Sequence, residues 1–100
     1  MTILLDGTVT GDTTSNEITG KGGQVVVVVR GNLDSGTIAI QGASSNDSLD
    51  RFAAFTNASA LATNTTLVLD YIPVGLRLRA VLTGSTTPTD VFVEIIGSAA

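Results

Sequence analysis

The chain has 100 residues, room for one ordinary domain. It contains no Cys, His or Trp, which excludes disulfide staples, zinc sites built on thiolate or imidazole, and nucleophiles activated by a His or Cys partner. With 5 basic and 9 acidic residues the net charge is −4, the wrong sign for neutralising phosphates, so direct nucleic-acid binding is not expected.

Helical spacing is almost absent, whereas short β-branched runs bounded by Gly, Asn, Asp, Ser or Pro recur roughly every 8 to 12 residues. Strands are expected at 2–5, 8–10, 17–19, 24–30, 37–41, 51–55, 65–71, 76–83 and 90–96. Crossover helices have no place between them. The expected fold is all-β: one domain, an antiparallel β-sandwich, jelly-roll-like, of about eight strands.

The turns refine this picture. Asp6-Gly7 suits a type I′ hairpin folding 3–5 against 8–10; the alternative is a loose N-terminal arm over residues 1–12. The stretch 31–36 has a Gly at each end and the length of a hairpin loop, so 24–30 and 37–41 are expected to pair. Residues 85–89 contain Pro88, which cannot donate to a ladder, and the last two strands are expected to pair across them. The least regular region is 43–64. Its Ala- and Leu-containing part, 57–64, admits a short helical turn capped by Asn57 or Ser59.

Alternation assigns the faces of the clearest strands. Leu76, Leu78, Ala80 and Leu82 are expected inward, with Arg77 and Arg79 outward. Val91, Val93 and Ile95 are inward by the same rule, and Glu94 is placed to pair with Arg79 or Arg77. Ile38, Ile40, Leu67 and Leu69 complete an aliphatic interior, with Phe52 and Phe55 expected as its largest fillers. The run 25–29, five consecutive Val, does not alternate. Either its second face is covered by a loop such as 57–64, or Val26 and Val28 belong to a subunit interface, since an exposed, uncharged β-rich stretch is otherwise an aggregation hazard.

Chemistry finds little foothold. Asp47 with Asp50, or Asp70 with Asp90, are the carboxylate pairs a glycosidase would draw on, but acids among Ser and Asn in loops are ordinarily just solvated. Asn46, Asp47 and Asp50 lack the acidic ladder and closing Glu of a calcium loop. Carbohydrate sites stack a sugar on Trp or Tyr, and Tyr71 is the one such residue. No catalytic, metal or cofactor residue is assigned. No apolar run approaches the roughly 20 residues of a membrane-spanning helix, and no secretory leader is recognised, so synthesis in the cytoplasm without a membrane role is expected.

The segments VRGNLDSGTIAIQGAS (29–44) and LRLRAVLTG (76–84), followed by a last V-x-V strand, resemble small virion structural proteins of tailed bacteriophages, over residues 24–96. In that group a strand ending in Gly leads through a Gly-containing turn to a T-h-x-h-Q strand. An aromatic, commonly Trp, often follows; here Phe52 and Phe55 occupy that region. The resemblance implies a non-enzymatic capsid decoration (cement) protein, located in the virion, needing no cofactor. Its implied partners are the major capsid protein, further copies of itself up to a homotrimer, or both. Expected interface residues are the N-terminal Met1, Thr2, Ile3, Leu4 and Leu5, through strand addition to a neighbour's sheet edge, together with Val26 and Val28. The alternative function is a tail or fibre accessory domain that binds a host-surface glycan with loops 31–36, 44–50 and 85–89.

Overall fold

Branching at Cβ restricts χ1 and favours extended backbone, and the five Val residues accordingly lie in the longest strand. In a computed structural model describing residues 2–46, 48–49 and 51–97, the strands are β1 (Thr2–Asp6), β2 (Thr13–Thr14), β3 (Ile18–Thr19), β4 (Gly23–Asn32), β5 (Thr37–Ala43), β6 (Ala53–Ala54), β7 (Thr65–Ile72), β8 (Arg77–Thr83) and β9 (Thr89–Gly97). Met1, Asp47 and Asp50, singled out above, lie outside the described residues. One 3-10 turn, Thr56–Ala58, overlaps only the start of the segment 57–64 that admits a helical turn; its N-cap is Phe55, neither Asn57 nor Ser59, and no side chain caps it.

The strands form two antiparallel sheets, one in the order β1-β9-β4-β7 and the other β2-β8-β5-β6 with β3 also on β8. β2 and β3 act as a single interrupted strand. Their register on β8 shifts by one residue, and between them Ser15 bonds Ala80 twice, donating its N–H to the carbonyl (2.8 Å) and accepting the Ala80 N–H on Oγ (2.8 Å). With that strand counted once, the pairings nest: first with last (β1–β9), second with second-last (β2/β3–β8), third with third-last (β4–β7), and the middle pair β5–β6. Rolling this long hairpin brings β4 beside β9 and β5 beside β8. That is a jelly roll of eight strands.

The core lies between the sheets. Val25, Val27 and Val29 of β4, Ile38 and Ile40 of β5, Leu78, Ala80 and Leu82 of β8, and Val91, Val93 and Ile95 of β9 are fully buried, as alternation requires. Leu69 is buried, while Leu67 and Leu76 pack against the cluster from its margin.

Three expected hairpins are replaced by crossings between sheets, and for the first two the reason is that the strand in question already has a neighbour on each side. β4 is flanked by β9 and β7, leaving no edge for β5, so residues 31–36 carry the chain to the other sheet. β9 is flanked by β1 and β4, so it cannot pair with β8. Residues 3–5 pair with β9 and not with 8–10, which are not a strand but the start of the crossing to β2. The N-terminal segment is therefore the first strand of the sandwich, neither a hairpin nor a loose arm.

Two side-chain expectations also change. Glu94 pairs with Arg30, its neighbour across β4 and β9, because Arg77 and Arg79 belong to the other sheet. The largest buried residues are Leu and Ile. Phe55 sits at the core margin, filling space beside Gly42, and Phe52 lies outside, under the guanidinium groups of Arg79 (4.0 Å to the ring centroid) and Arg77 (5.2 Å).

Candidate functional site

Residues paired across an antiparallel ladder share a face, so the registers of the four-stranded sheet define its outer surface row by row. One row is Ile96, Val26 and Val68. The next is Ile3, Glu94, Val28 and Thr66, and the third Asp6, Phe92 and Arg30. The apolar members of the first two rows make a field that Glu94 enters between Ile3 and Val28: Ile3 is 48% exposed, Val68 44% and Ile96 41%, with Val26 and Val28 half-buried by their neighbours.

Among the described residues no loop covers this field. The segment 57–64, expected above the second face of β4, lies instead along the edge of the other sheet, where Ile38 and Leu61 exchange main-chain bonds of 2.9 and 2.7 Å. Of the expected interface residues, Ile3, Val26 and Val28 come together on the outer face. Leu5 is buried inward, Thr2 faces inward opposite Ile95, and Leu4 sits at the register shift and packs against the core. The stretch from Thr2 to Leu5 is added to its own chain's sheet. Val68 and Ile96 were missed by sequence reasoning, although each is an apolar residue at an outward position of an alternating strand, the same signal that marked Val26.

Asp6 and Arg30 of the third row border the field, and Glu94 of the second row lies within it. Glu94 is buried within the sheet face and is reached by the Arg30 guanidinium, whose carbon stands 5.1 Å from the Phe92 ring centroid. Gly7 lies flat on that ring: a Cβ there would come within 2.7 Å of Phe92, and its φ of +90° is one that side-chain-bearing residues avoid. The Arg30–Glu94 pair thus has an aromatic floor beneath it, with the Arg30 side chain more than half exposed on its other side.

The remaining candidates do not assemble into chemistry. Asp70 and Asp90 sit at opposite ends of the sheet, one beside Gln24 and the other against Gly31, about 23 Å apart along β4 at the usual rise per residue. The shallow depression between β1 and β2 has two carboxylates in its wall, both already occupied by the chain itself. Asp6 accepts the hydroxyl (2.6 Å) and N–H (3.2 Å) of Thr8, which holds its pKa below the usual aspartate value, and Asp12 accepts the N–H groups of Gly84 (3.1 Å) and Ser85 (2.8 Å). Among the described residues no three acidic groups gather as a cation site would require.

The three loops expected to form a glycan site do not meet. Loops 31–36 and 85–89 touch at one end of the sandwich, where Asp34 accepts the hydroxyls of Thr86 and Thr87 and the Thr87 N–H (2.7 Å). The loop beginning at Ser44 is at the other end, its carbonyl accepting from Arg77 at 3.0 Å and its neighbour Ser45 packing beside Gly75. This separation follows from the rolled hairpin, in which successive connections alternate ends. Tyr71, 62% exposed, is at the end with Ser44, next to Gly22 and Val74. No helix among the described residues is long and apolar enough to cross a membrane. Comparison of the chain with protein-family profiles, with curated proteins and with solved structures returned no match.

Proposed function

We propose that this chain is a non-enzymatic structural subunit, a decoration (cement) protein that binds the outer surface of a phage head through the outer face of its four-stranded sheet. One observation carries the reading: the apolar residues Ile3, Val26, Val28, Val68 and Ile96 gather on one outer sheet face, where Ile3, Val68 and Ile96 are exposed. Contiguous apolar surface bordered by polar groups marks an interaction site. The likeness of residues 24–96 to small virion proteins supports the choice of partner, and the jelly roll agrees with it, being an architecture of capsid and lectin domains; a fold alone does not assign a function.

The mechanism needs no chemistry. Each copy removes its apolar field from water against the capsid at roughly 25 cal/mol per Å² of apolar surface buried. Arg30 and Glu94, already paired before docking, fix the orientation without adding an unpartnered charge. Repetition over a shell lets modest individual contacts add up.

The test is to add purified protein to undecorated capsids and measure co-sedimentation and the temperature at which the capsids release their contents. Binding and a raised temperature are expected for the native chain, and loss of both for Val26→Lys, which puts a charge between Ile96 and Val68 in the apolar field. If the native chain changes neither quantity, the reading fails.

A further inference from the structure

A sheet edge exposes unpaired N–H and C=O groups, and proteins blunt such edges with short strands, bulges, charges or proline. Three of the four edges here are blunted. β6 has two residues, β2 and β3 have two each with a shift between them, and β1 is interrupted between Ile3 and Leu5. β7 is different. Its residues 65–69 face Val29 to Val25 in unbroken register and include no charge and no proline, and among the described residues no strand pairs with their outer side. The register breaks only beyond Leu69, where Asp70 and Tyr71 together oppose Gln24.

We propose that two copies of this chain pair antiparallel through β7, about a two-fold axis at Leu67, joining their four-stranded sheets into one continuous sheet of eight strands. This register uses all of the undefended stretch and nothing else: Thr65 stands opposite the second copy's Leu69, Thr66 opposite its Val68, and Leu67 opposite its own equivalent. Leu67 packs on the core only from the margin, and the second copy's Leu67 covers its open side. On the outer face, Thr66 and Val68 are both exposed, and each covers the other across the axis. Asp70, the strand's one charge, falls opposite Asn64 and not opposite another Asp70, so no like charges meet. A self-complementary segment is what an isologous contact requires, and this favours a second copy over a foreign strand. The edge borders the apolar field assigned above and shares Val68 with it, but the test needs no capsid, so either reading can fail without the other.

The test is sedimentation equilibrium of the full chain combined with oxidative cross-linking. A mass of two chains is expected, falling to one for Val68→Lys with unchanged thermal unfolding. Because the chain has no Cys, Thr66→Cys and Val68→Cys report without background: each variant alone should stay largely uncross-linked on mild oxidation, and their mixture should give a covalent dimer, since only residues 66 and 68 of different copies stand directly opposite. A single-chain mass at every concentration overturns the proposal, as does a dimer in which the mixture cross-links no better than either variant alone. A β7 edge found to take a strand from another protein, with the chain itself monomeric, overturns it as well.

Discussion

The two sheets have similar inner faces and opposite outer ones. On the outer face of the five-stranded sheet, Arg77 and Arg79 hold Phe52 between them, Arg79 also donates to Gln41 Oε1 at 2.8 Å, and the segment from Phe55 to Leu61 is tied to the edge of β5 by main-chain bonds to Ile40 and Ile38. On the outer face of the four-stranded sheet, Ile3, Val68 and Ile96 are exposed beside the half-buried Val26 and Val28, and no loop of the described residues lies over them. Of the described residues between β5 and β7, Phe52 lies over the outer face of the five-stranded sheet and 53–61 runs along its edge, and no such segment lies on the other sheet.

The sharpest way to break this comparison uses two adjacent residues of β9. Ile95 is fully buried between the sheets and Ile96 lies on the bare outer face. Ile95→Ala should cost about 2–5 kcal/mol, the usual range for emptying a core position. Ile96→Ala should stay within about 0.5 kcal/mol, as for an exposed site. Urea denaturation of both variants decides it, and comparable losses would mean that the outer face is covered in solution.

A smaller effect is expected at Phe52. Phe52→Ala removes the ring between two guanidinium groups, each cation–π contact contributing about 0.5–1 kcal/mol at an exposed site, and frees the segment leading to β6. Unfolding free energy should fall by about 1–2 kcal/mol, with faster amide exchange confined to residues 51–55. A loss as large as that of Ile95→Ala would place Phe52 in the core, where composition alone would put it.

What was legible in the sequence, and what was not, follows from the kind of information each feature carries. Inward and outward positions were readable because alternation is local: Arg77-Leu78-Arg79-Ala80 assigns its own faces. The sheet to which a strand belongs is not local. Nothing in Gly31 to Gly36 says that both sides of β4 will be taken by β7 and β9, so a hairpin was expected where the chain crosses over. Leu33, one apolar residue in a polar loop, was the available hint, since it is buried at the end of the sandwich. The apolar face was half-legible. Val26 and Val28 stood out in an uninterrupted run, while Val68 and Ile96 were hidden among residues that were apolar for ordinary core reasons. The Arg30–Glu94 pair was illegible, because its partners are 64 positions apart and only the β4–β9 register brings them together.

The smallest expected effect concerns acid and the loop end of the sandwich. Asp34 adopts a positive φ of 48° and joins loop 31–36 to loop 85–89 by accepting from the Thr86 hydroxyl, the Thr87 hydroxyl and the Thr87 N–H. These bonds favour the charged form and hold its pKa below the usual aspartate value, the Thr86 hydroxyl contributing most. A depressed carboxylate contributes stability that is present above the ordinary aspartate pKa and is lost as pH falls through the lowered one. Acidification should therefore loosen loops 31–36 and 85–89 only in strongly acid solution, after exposed carboxylates of ordinary pKa have already titrated. Since the partners are neutral donors, added salt should change this midpoint little, unlike that of an exposed ion pair. The Thr87 amide shift, followed by NMR against pH, reports the event directly. It should move with a midpoint below the ordinary aspartate value in the native chain and should not titrate in Asp34→Asn, and a native midpoint at or above that value would show that the loops are not tied through this carboxylate.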